Sequence, residues 1–309
     1  MDNRVTRAEK VVRDLKRKIL TGALATGRKT ANEMIGVLPD GTRPKTLLEK
    51  AEERRMATGL VVTKAVTDAT PAAFSAHCAS RDDQSAIAAQ ILSQGIEVIL
   101  GGGRKQWRPT LQGGARTDGR VLVAEAERLG YRSVTGAQDL AQIQTTPVLG
   151  LLAQNSLSEE GDEPSLAAMT GKAIELLSRT PEGFFLLVEG SQIDIQAHKH
   201  NAPDMIRRVL LFDAAVKEAL AFAARDGHTL VIVTADHETG GLAVLDGLTD
   251  PAIDWASFDH SSAPVALFAY GPGAADFTGI YDNTAVAIRI ARLLGFTPFP
   301  EDHPAAAQP

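Results

Sequence analysis

The chain has 309 residues, and its 32 lysines and arginines against 38 aspartates and glutamates give a formal net charge of −6. This acidic balance argues against nucleic acid or an anionic membrane surface as the main partner. The single cysteine excludes an intrachain disulfide, and no apolar stretch is long enough to predict a membrane-spanning helix. The length suits one α/β domain with a sizeable core, which we favour over two small domains.

The two ends of the chain differ in character from the rest. Residues 1–22 are highly charged, with a thin apolar stripe at helical spacing and without the apolar core of a secretory signal. As written, the chain is therefore expected to stay in the cytoplasm. Residues 23–298 are predicted to form the α/β domain, and residues 299–309 a disordered tail.

Within the domain, apolar runs alternate with helical patterns. Short apolar runs predict strands at 58–63, 97–100, 148–153, 184–188, 230–235 and 266–270. The 3.6-residue period predicts helices at 46–55, 84–94, 123–129, 165–178, 203–225 and 284–294. This alternation predicts an α/β fold with a doubly wound, mostly parallel central sheet and helices on both faces.

The strand that leads into Asp236 and His237 is the element around which we expect a site to form. Its β-branched run is typical of a strand buried on both faces, and a Gly-Gly turn follows it. Ligands of open α/β sheets bind at the carboxyl ends of strands, so a carboxylate and an imidazole here indicate a site. Alone, such a pair more often marks an ordinary polar strand end.

A second strand end carries further metal-type ligands. The predicted strand 184–188 leads into Glu189 and Asp194, and His198 follows Asp194 at a spacing that places both side chains on one face of a helical turn. His260, just before the last strand, could complete the set. Three such ligands with an open position are typical of a catalytic zinc site.

A third strand end carries Asp68 and Thr70, whose oxygens could hold a hard ion such as magnesium together with Glu189. Asp68 also suits a helix N-cap, and the two roles are compatible. Arg81 suits a phosphate clamp, because a guanidinium matches two phosphoryl oxygens, although a surface ion pair would also explain it.

Together these motifs resemble the bacterial alkaline phosphatases. The matching segments follow the family's order at 23–27, 37–41, 57–60, 68–74, 80–81, 99–105, 188–190, 193–194, 233–241 and 268–272. The resemblance, which spans about residue 23 to residue 295, implies the family's α/β fold. It also implies hydrolysis of small phosphate monoesters, a homodimer, and the periplasmic or secreted location of most members.

The resemblance further implies individual roles. The implied metal ligands are Asp194, His198 and His260 for a first zinc ion, Asp236 and His237 for a second, and Thr70 and Glu189 for magnesium, with Asp68 near the magnesium. Arg81 matches the phosphate-binding arginine. In the implied chemistry, one zinc stabilises the leaving oxygen, the other activates a serine, and zinc-bound hydroxide then cleaves the phosphoserine.

The segment before Ala23 departs from the family. The family begins with a strand whose terminal Asp bridges the second zinc and the magnesium, and its nucleophilic Ser falls at the position of Arg17 here. Neither residue is found, and the nearby hydroxyls of Thr21 and Thr26 lie outside the matching position. We therefore expect an N-terminally truncated or frame-altered member that lacks the family's first strand and the catalytic nucleophile.

This departure has consequences for the predicted function. The second zinc site and the magnesium site are incomplete, so only the first zinc site is expected to bind tightly, and a neighbouring strand is expected to have an open edge. The sequence favours a metal-dependent phosphomonoester hydrolase whose turnover stays open. The alternatives are a non-catalytic zinc- or phosphate-binding remnant and a related two-metal phosphodiesterase. Arg81 argues against the last, because a clamp on two free phosphoryl oxygens suits monoesters.

Overall fold

The computed structural model describes residues 20–245 and 252–303. Most of the predicted charged segment 1–22 and the last part of the predicted tail, residues 304–309, lie outside the described residues.

The helices and strands of the described residues largely follow the predicted alternation. The helices are α1 (Leu20–Thr26), α2 (Leu47–Glu53), α3 (Ala69–Ser75), α4 (Gln84–Gln94), α5 (Leu122–Arg128), α6 (Ala137–Gln142), α7 (Leu166–Leu177), α8 (Gln192–His198), α9 (Ala202–Asp226) and α10 (Thr284–Leu293). The strands are β1 (Arg43–Pro44), β2 (Ala57–Ala65), β3 (Val98–Gly102), β4 (Arg132–Val134), β5 (Val148–Leu151), β6 (Phe184–Glu189), β7 (Val231–Thr234), β8 (Glu238–Thr239), β9 (Leu242–Leu245), β10 (Ala252–Trp255), β11 (His260–Ser261), β12 (Leu267–Tyr270) and β13 (Asp302–His303).

A parallel five-stranded sheet of order β4-β5-β3-β2-β6 forms the centre of the fold. Because side chains alternate along a strand, β2 contributes to the cores on both of its faces. Leu60 and Val62 belong to the core that α4 completes with Ile87, and Val61 belongs to the core that α7 completes with Met169. The predicted α/β fold with helices on both faces of a mostly parallel sheet is confirmed.

The strand order also leaves an open edge. β6 pairs with β2 along one edge, and β7 pairs antiparallel with β12. The described ranges contain no ladder between β6 and β7. The central strand predicted from the sequence therefore exists, but it belongs to a separate two-stranded ladder and not to the five-stranded sheet.

The predicted segment boundaries differ from the structure at both ends. The boundary between residues 22 and 23 falls inside α1, whose alanines Ala23 and Ala25 are fully buried. The predicted disorder from residue 299 is wrong for residues 299–303, because β13 pairs with β1 and Glu301 forms a 2.8 Å ion pair with the buried Lys50. Neither the burial of α1 nor the pairing of β13 has a local sequence pattern, because both depend on partners that are far away in the chain.

No described helix is both long enough and apolar enough to cross a lipid bilayer.

The position of β2 between two cores makes it a sensitive point for stability. Leu60 is fully buried, so we expect Leu60→Ala to lower the free energy of unfolding by about 2–5 kcal/mol through lost burial and a residual cavity. Leu111, which is 97% exposed, provides the control, and Leu111→Ala should change stability by less than about 0.5 kcal/mol. Urea unfolding measures the free energy of unfolding of both variants. Equal decreases in the two variants would contradict the assignment of Leu60 to the core.

Candidate metal and phosphate site

Helix α8 begins directly after β6 and presents the first pair of predicted ligands. The connection needs a glycine, because a Cβ on Gly190 would lie 2.9 Å from the ring of Phe212 in α9. Asp194 and His198 lie one helical turn apart on the same face. Nε2 of His198 is accordingly 3.3 Å from Oδ1 of Asp194.

Strand β11 brings His260 to the same carboxylate. It pairs antiparallel with β8, so that His260 lies opposite Thr239. Nε2 of His260 is 3.3 Å from Oδ1 of Asp194 and 3.0 Å from Nε2 of His198. The structure thus brings together the three residues predicted for the first zinc ion, and their donor atoms all lie within 4.8 Å of one another.

The spacing of these donors fits a tetrahedral zinc ion. Zinc bonds of about 2.0–2.1 Å at tetrahedral angles place neighbouring donor atoms roughly 3.3 Å apart. The observed separations are 3.0, 3.3 and 3.3 Å. The side chains of Asp194, His198 and His260 are 34–45% exposed, so this donor group is accessible from solvent.

The orientation of His198 also suits metal binding. Its Nδ1 contacts the main-chain oxygen of Phe258. A carbonyl oxygen only accepts, so Nδ1 donates, and in the neutral ring Nε2 keeps its lone pair toward Asp194 and His260. Such a hydrogen bond on the outer nitrogen is the usual way in which proteins fix a metal-binding imidazole.

Thr239 is a site residue that the sequence analysis missed. Its hydroxyl donates to Oδ1 of Asp194 at 2.6 Å and lies 3.3 Å from Nδ1 of His237. It therefore connects the carboxylate of one ligand group to the imidazole of the next. Its position two residues after His237 was the available signal, but a threonine after a histidine has no metal-binding meaning by itself.

The surroundings of Asp194 keep its carboxylate ionised. Burial alone would raise its pKa, but hydrogen bonds from His260 and Thr239, together with the nearby imidazole of His198, hold the pKa well below its usual range. An ionised carboxylate is the form that binds a cation.

Asp236 and His237 lie beside the first group, at the end of β7. Nε2 of His237 is 3.3 Å from Oδ2 of Asp236, and its ring stacks on His260 with centroids 3.5 Å apart. The hydroxyl of Thr21, which is 2% exposed, donates to Oδ2 of Asp236 at 2.9 Å. The two residues predicted for the second zinc ion are therefore adjacent to each other and to the first group.

The predicted magnesium ligands form a third group at the end of β6. Glu189 accepts a hydrogen bond from Ser191 at 2.7 Å, and the side chain of Thr70 also bonds to it. Burial raises the pKa of Glu189 to about 7 against these hydrogen bonds, and the nearby charges of Asp68 and Asp236 raise it further. Carboxylates this close repel one another, and a divalent cation would relieve the repulsion.

Arg81 reaches this third group through Asp68. One guanidinium nitrogen of Arg81 lies 3.3 Å from Oδ1 of Asp68, and Nζ of Lys64 lies 2.8 Å from Oδ2. Asp68 precedes α3 at the N-cap position, but its side chain makes no capping hydrogen bond. Asp68 thus occupies the N-cap position that the sequence indicated, but its carboxylate binds Arg81 and Lys64 and does not cap the helix. The side chain of Arg81 is one-third exposed and can reach a bound anion.

Comparison with known proteins agrees with this arrangement. The sequence model of the family described as alkaline phosphatase matches residues 19–251. Alkaline phosphatase 4 of Bacillus subtilis is 33% identical over 88% of this chain and 75% of its own length. Alkaline phosphatase 3 of the same organism is 40% identical over 73% of this chain, which spans half of that relative's length.

Solved structures give the same result. The alkaline phosphatase of the Antarctic bacterium TAB5 superimposes with a TM-score of 0.82 at 34% identity, over 89% of this chain and 83% of that one. A variant of the same TAB5 enzyme was solved with magnesium bound. From the sequence match and the shared fold together, the chain belongs to the alkaline phosphatase family.

Proposed function

We propose that this chain is a metal-dependent phosphomonoester hydrolase of the alkaline phosphatase type. The observation that carries the proposal is that three solvent-accessible side chains, Asp194, His198 and His260, bring their donor atoms to the spacing of zinc ligands, and this group of three leaves one of the four zinc positions without a protein ligand among the described residues. An open position distinguishes a catalytic zinc site from a structural one, which is closed by four protein ligands.

In this proposal the remaining groups add two less complete ion sites to a phosphate-binding centre. Asp236 and His237, whose side chains are adjacent, would hold a second zinc ion, and Thr70 and Glu189 would hold magnesium with Asp68 close by. When bound, the metal ions supply Lewis-acid stabilisation of the phosphoryl and leaving oxygens and a source of hydroxide at neutral pH.

The protein side chains then have distinct tasks. Arg81 binds two non-bridging oxygens of the phosphate with its guanidinium fork. Asp68 orients that guanidinium by the contact between the two side chains. Thr239 fixes the carboxylate of Asp194 with its hydrogen bond. Thr21 fixes Asp236 in the same way, and because it is buried we assign it a positioning role and not that of a nucleophile.

One observation favours a second candidate function. The position that corresponds to the family's nucleophilic serine holds Arg17. If turnover requires attack by that serine, this chain would bind zinc and phosphate without hydrolysing the ester. The diesterase alternative has weaker support, because Arg81 suits a phosphate with two free oxygens.

Turnover separates these candidates. We expect the purified chain, supplied with zinc and magnesium at alkaline pH, to release nitrophenol from p-nitrophenyl phosphate, and EDTA treatment to abolish the release. Bis(p-nitrophenyl) phosphate should react more slowly, because it has no second free oxygen for Arg81. Retained zinc without turnover would favour the binding candidate, and preference for the diester would favour a phosphodiesterase.

The role of Arg81 gives a second prediction. Arg81→Lys loses the bidentate fork while keeping the charge, so kcat/KM for the monoester should fall by about ten- to a hundredfold. Arg120, which pairs with Glu125 on the surface, provides the matched control, and Arg120→Lys should leave kcat/KM unchanged. Equal effects of the two substitutions would contradict a phosphate clamp at Arg81.

The role of Thr239 can be tested without substrate. Thr239→Val removes the hydrogen bond to Asp194, and loss of such an outer partner should weaken zinc affinity by about 10–100-fold, measured by chelator competition. Thr234→Val is the control, because among the described residues the hydroxyl of Thr234 hydrogen-bonds main-chain oxygens, those of Ala235 and Ala266, and no metal-ligand side chain. Unchanged zinc affinity in Thr239→Val would exclude this positioning role.

The raised pKa of Glu189 predicts a pH dependence of magnesium binding. A proton and a cation compete for this carboxylate, so magnesium affinity should rise with pH up to about 7 and then level off. Glu189→Gln should weaken binding and remove this dependence. Glu52→Gln should not, although burial also raises the pKa of Glu52 to about 7, because Glu52 hydrogen-bonds Thr58 at the opposite, amino end of β2. Calorimetric titration with magnesium, repeated at several pH values, measures this affinity for the unmodified chain and for both variants.

A further inference from the structure

Three aromatic rings form a stack next to the first group of metal ligands. The ring of His200 lies nearly parallel to that of Trp255, with centroids 4.9 Å apart and an angle of 7° between the planes. It also lies nearly parallel to the ring of Phe258, at 4.0 Å and 9°. Two parallel rings this close to the same face of an imidazole would overlap each other, so Trp255 and Phe258 lie on opposite faces of His200.

The tryptophan end of this stack is closed by the main chain. A Cβ added to Gly240 would lie 2.5 Å from the indole ring of Trp255, so the ring packs directly against the backbone at this glycine. The carbonyl oxygen of Gly240 accepts hydrogen bonds from the N–H groups of Ala256 and Ser257 at 2.9 and 3.0 Å. Trp255 is therefore anchored on the turn between β8 and β9.

The phenylalanine end of the stack is open. Phe258 is 69% exposed, although His200 covers one face of its ring. The exposed surface therefore includes the other face of the ring. A phenyl ring with one free face can stack a further planar ring, with centroids about 4.5–7 Å apart.

Two histidines hold the main chain at Phe258 beside the metal ligands. Nδ1 of His198 contacts the main-chain oxygen of Phe258, and Nε2 of His200 contacts that of Ser257 at 2.8 Å. Carbonyl oxygens only accept, so both imidazoles donate. Phe258 thus lies beside His198 in space, and it precedes His260 by two positions in the chain.

This setting distinguishes Phe258 from an ordinary exposed apolar residue. Single apolar side chains are common on protein surfaces and need no explanation. The ring of Phe258, however, is held by the stack and by its main-chain contacts, so that little side-chain freedom is lost when a ligand binds to it. Its neighbours His198 and His260 are accessible from the same solvent and belong to the group at which the phosphate of a substrate would bind.

We propose that Phe258 is a specificity-determining residue whose free ring face stacks on a planar aromatic leaving group. The substrates that this arrangement favours are aryl phosphate monoesters, with the phosphate at the metal ligands and the aromatic ring on Phe258. This assignment rests on the proposed function, because it takes the phosphate to bind at the first group of ligands. Stacking on a ring that is already in place stabilises the bound substrate and the transition state alike, so it lowers KM and leaves kcat unchanged.

Binding of phosphonates that are not hydrolysed tests this role without turnover. Benzylphosphonate resembles phenyl phosphate with a methylene group in place of the ester oxygen, and ethylphosphonate has the same head group without the ring. The full, zinc-loaded chain should bind benzylphosphonate about three- to tenfold more tightly than ethylphosphonate. Calorimetric titration at alkaline pH, where both head groups are dianions, measures the two affinities.

Three variants test the location of the effect. Phe258→Ala should remove the preference for benzylphosphonate and leave the affinity for ethylphosphonate unchanged, whereas Phe258→Tyr keeps an aromatic ring and should keep the preference. Phe268→Ala is the matched control, because Phe268 is 67% exposed on β12, and both of its affinities should equal those of the unmodified chain.

The outcomes separate this proposal from the proposed function. Equal affinities of the unmodified chain for the two phosphonates would overturn the role of Phe258 and leave the phosphate site in place. This comparison needs no variant, so it stays decisive if Phe258→Ala fails to fold. An equal loss of both affinities in Phe258→Ala would also overturn the role, because the side chain would then only support His198. Binding of neither phosphonate would overturn the proposed function together with this role.

Discussion

The carboxylate of Asp194 is the point on which the site depends. Nε2 of His198 and Nε2 of His260 each lie 3.3 Å from its Oδ1, and Thr239 donates to the same oxygen. These partners come from α8, β11 and β8, so the fold must assemble before the donors converge. The two imidazole nitrogens are only 3.0 Å apart, and the adjacent carboxylate provides the negative charge that either a proton or a cation shared by them requires. Metal binding and the local fold are therefore coupled through one side chain.

Local patterns predicted much of this architecture. Helix α4 has the predicted bounds, and β2, β3, β6 and α9 differ by a few residues, because apolar periodicity reports burial directly. The family motifs also predicted the convergence of His198 and His260 on Asp194. What the sequence could not predict depends on distant partners. Thr21 meets Asp236 across 215 positions, and β13 pairs with β1 from the far end of the chain. An apolar run predicts that a strand is buried, but it does not show which edge of the strand is paired. The gap beside β6 was therefore predicted only as an open strand edge next to the missing first strand.

The three ligand groups form one continuous network although they follow different strands. The first group contacts the second through the stacked rings of His237 and His260. The second group and the third interact electrostatically, because the charge of Asp236 contributes to the raised pKa of Glu189. Since β6 ends at Glu189 and β7 leads into Asp236, a change in the separation of these two strands would alter the spacing of the metal groups. The edges of β6 and β7 that have no partner strand among the described residues therefore influence the geometry of the site.

Anomalous diffraction from zinc-loaded crystals, recorded on both sides of the zinc absorption edge, tests the central claim most directly. The account predicts that the strongest peak lies between Oδ1 of Asp194 and the Nε2 atoms of His198 and His260, at about 2.0–2.2 Å from each. A strongest peak elsewhere, with these three side chains arranged as they are here, would contradict the assignment of the primary metal site.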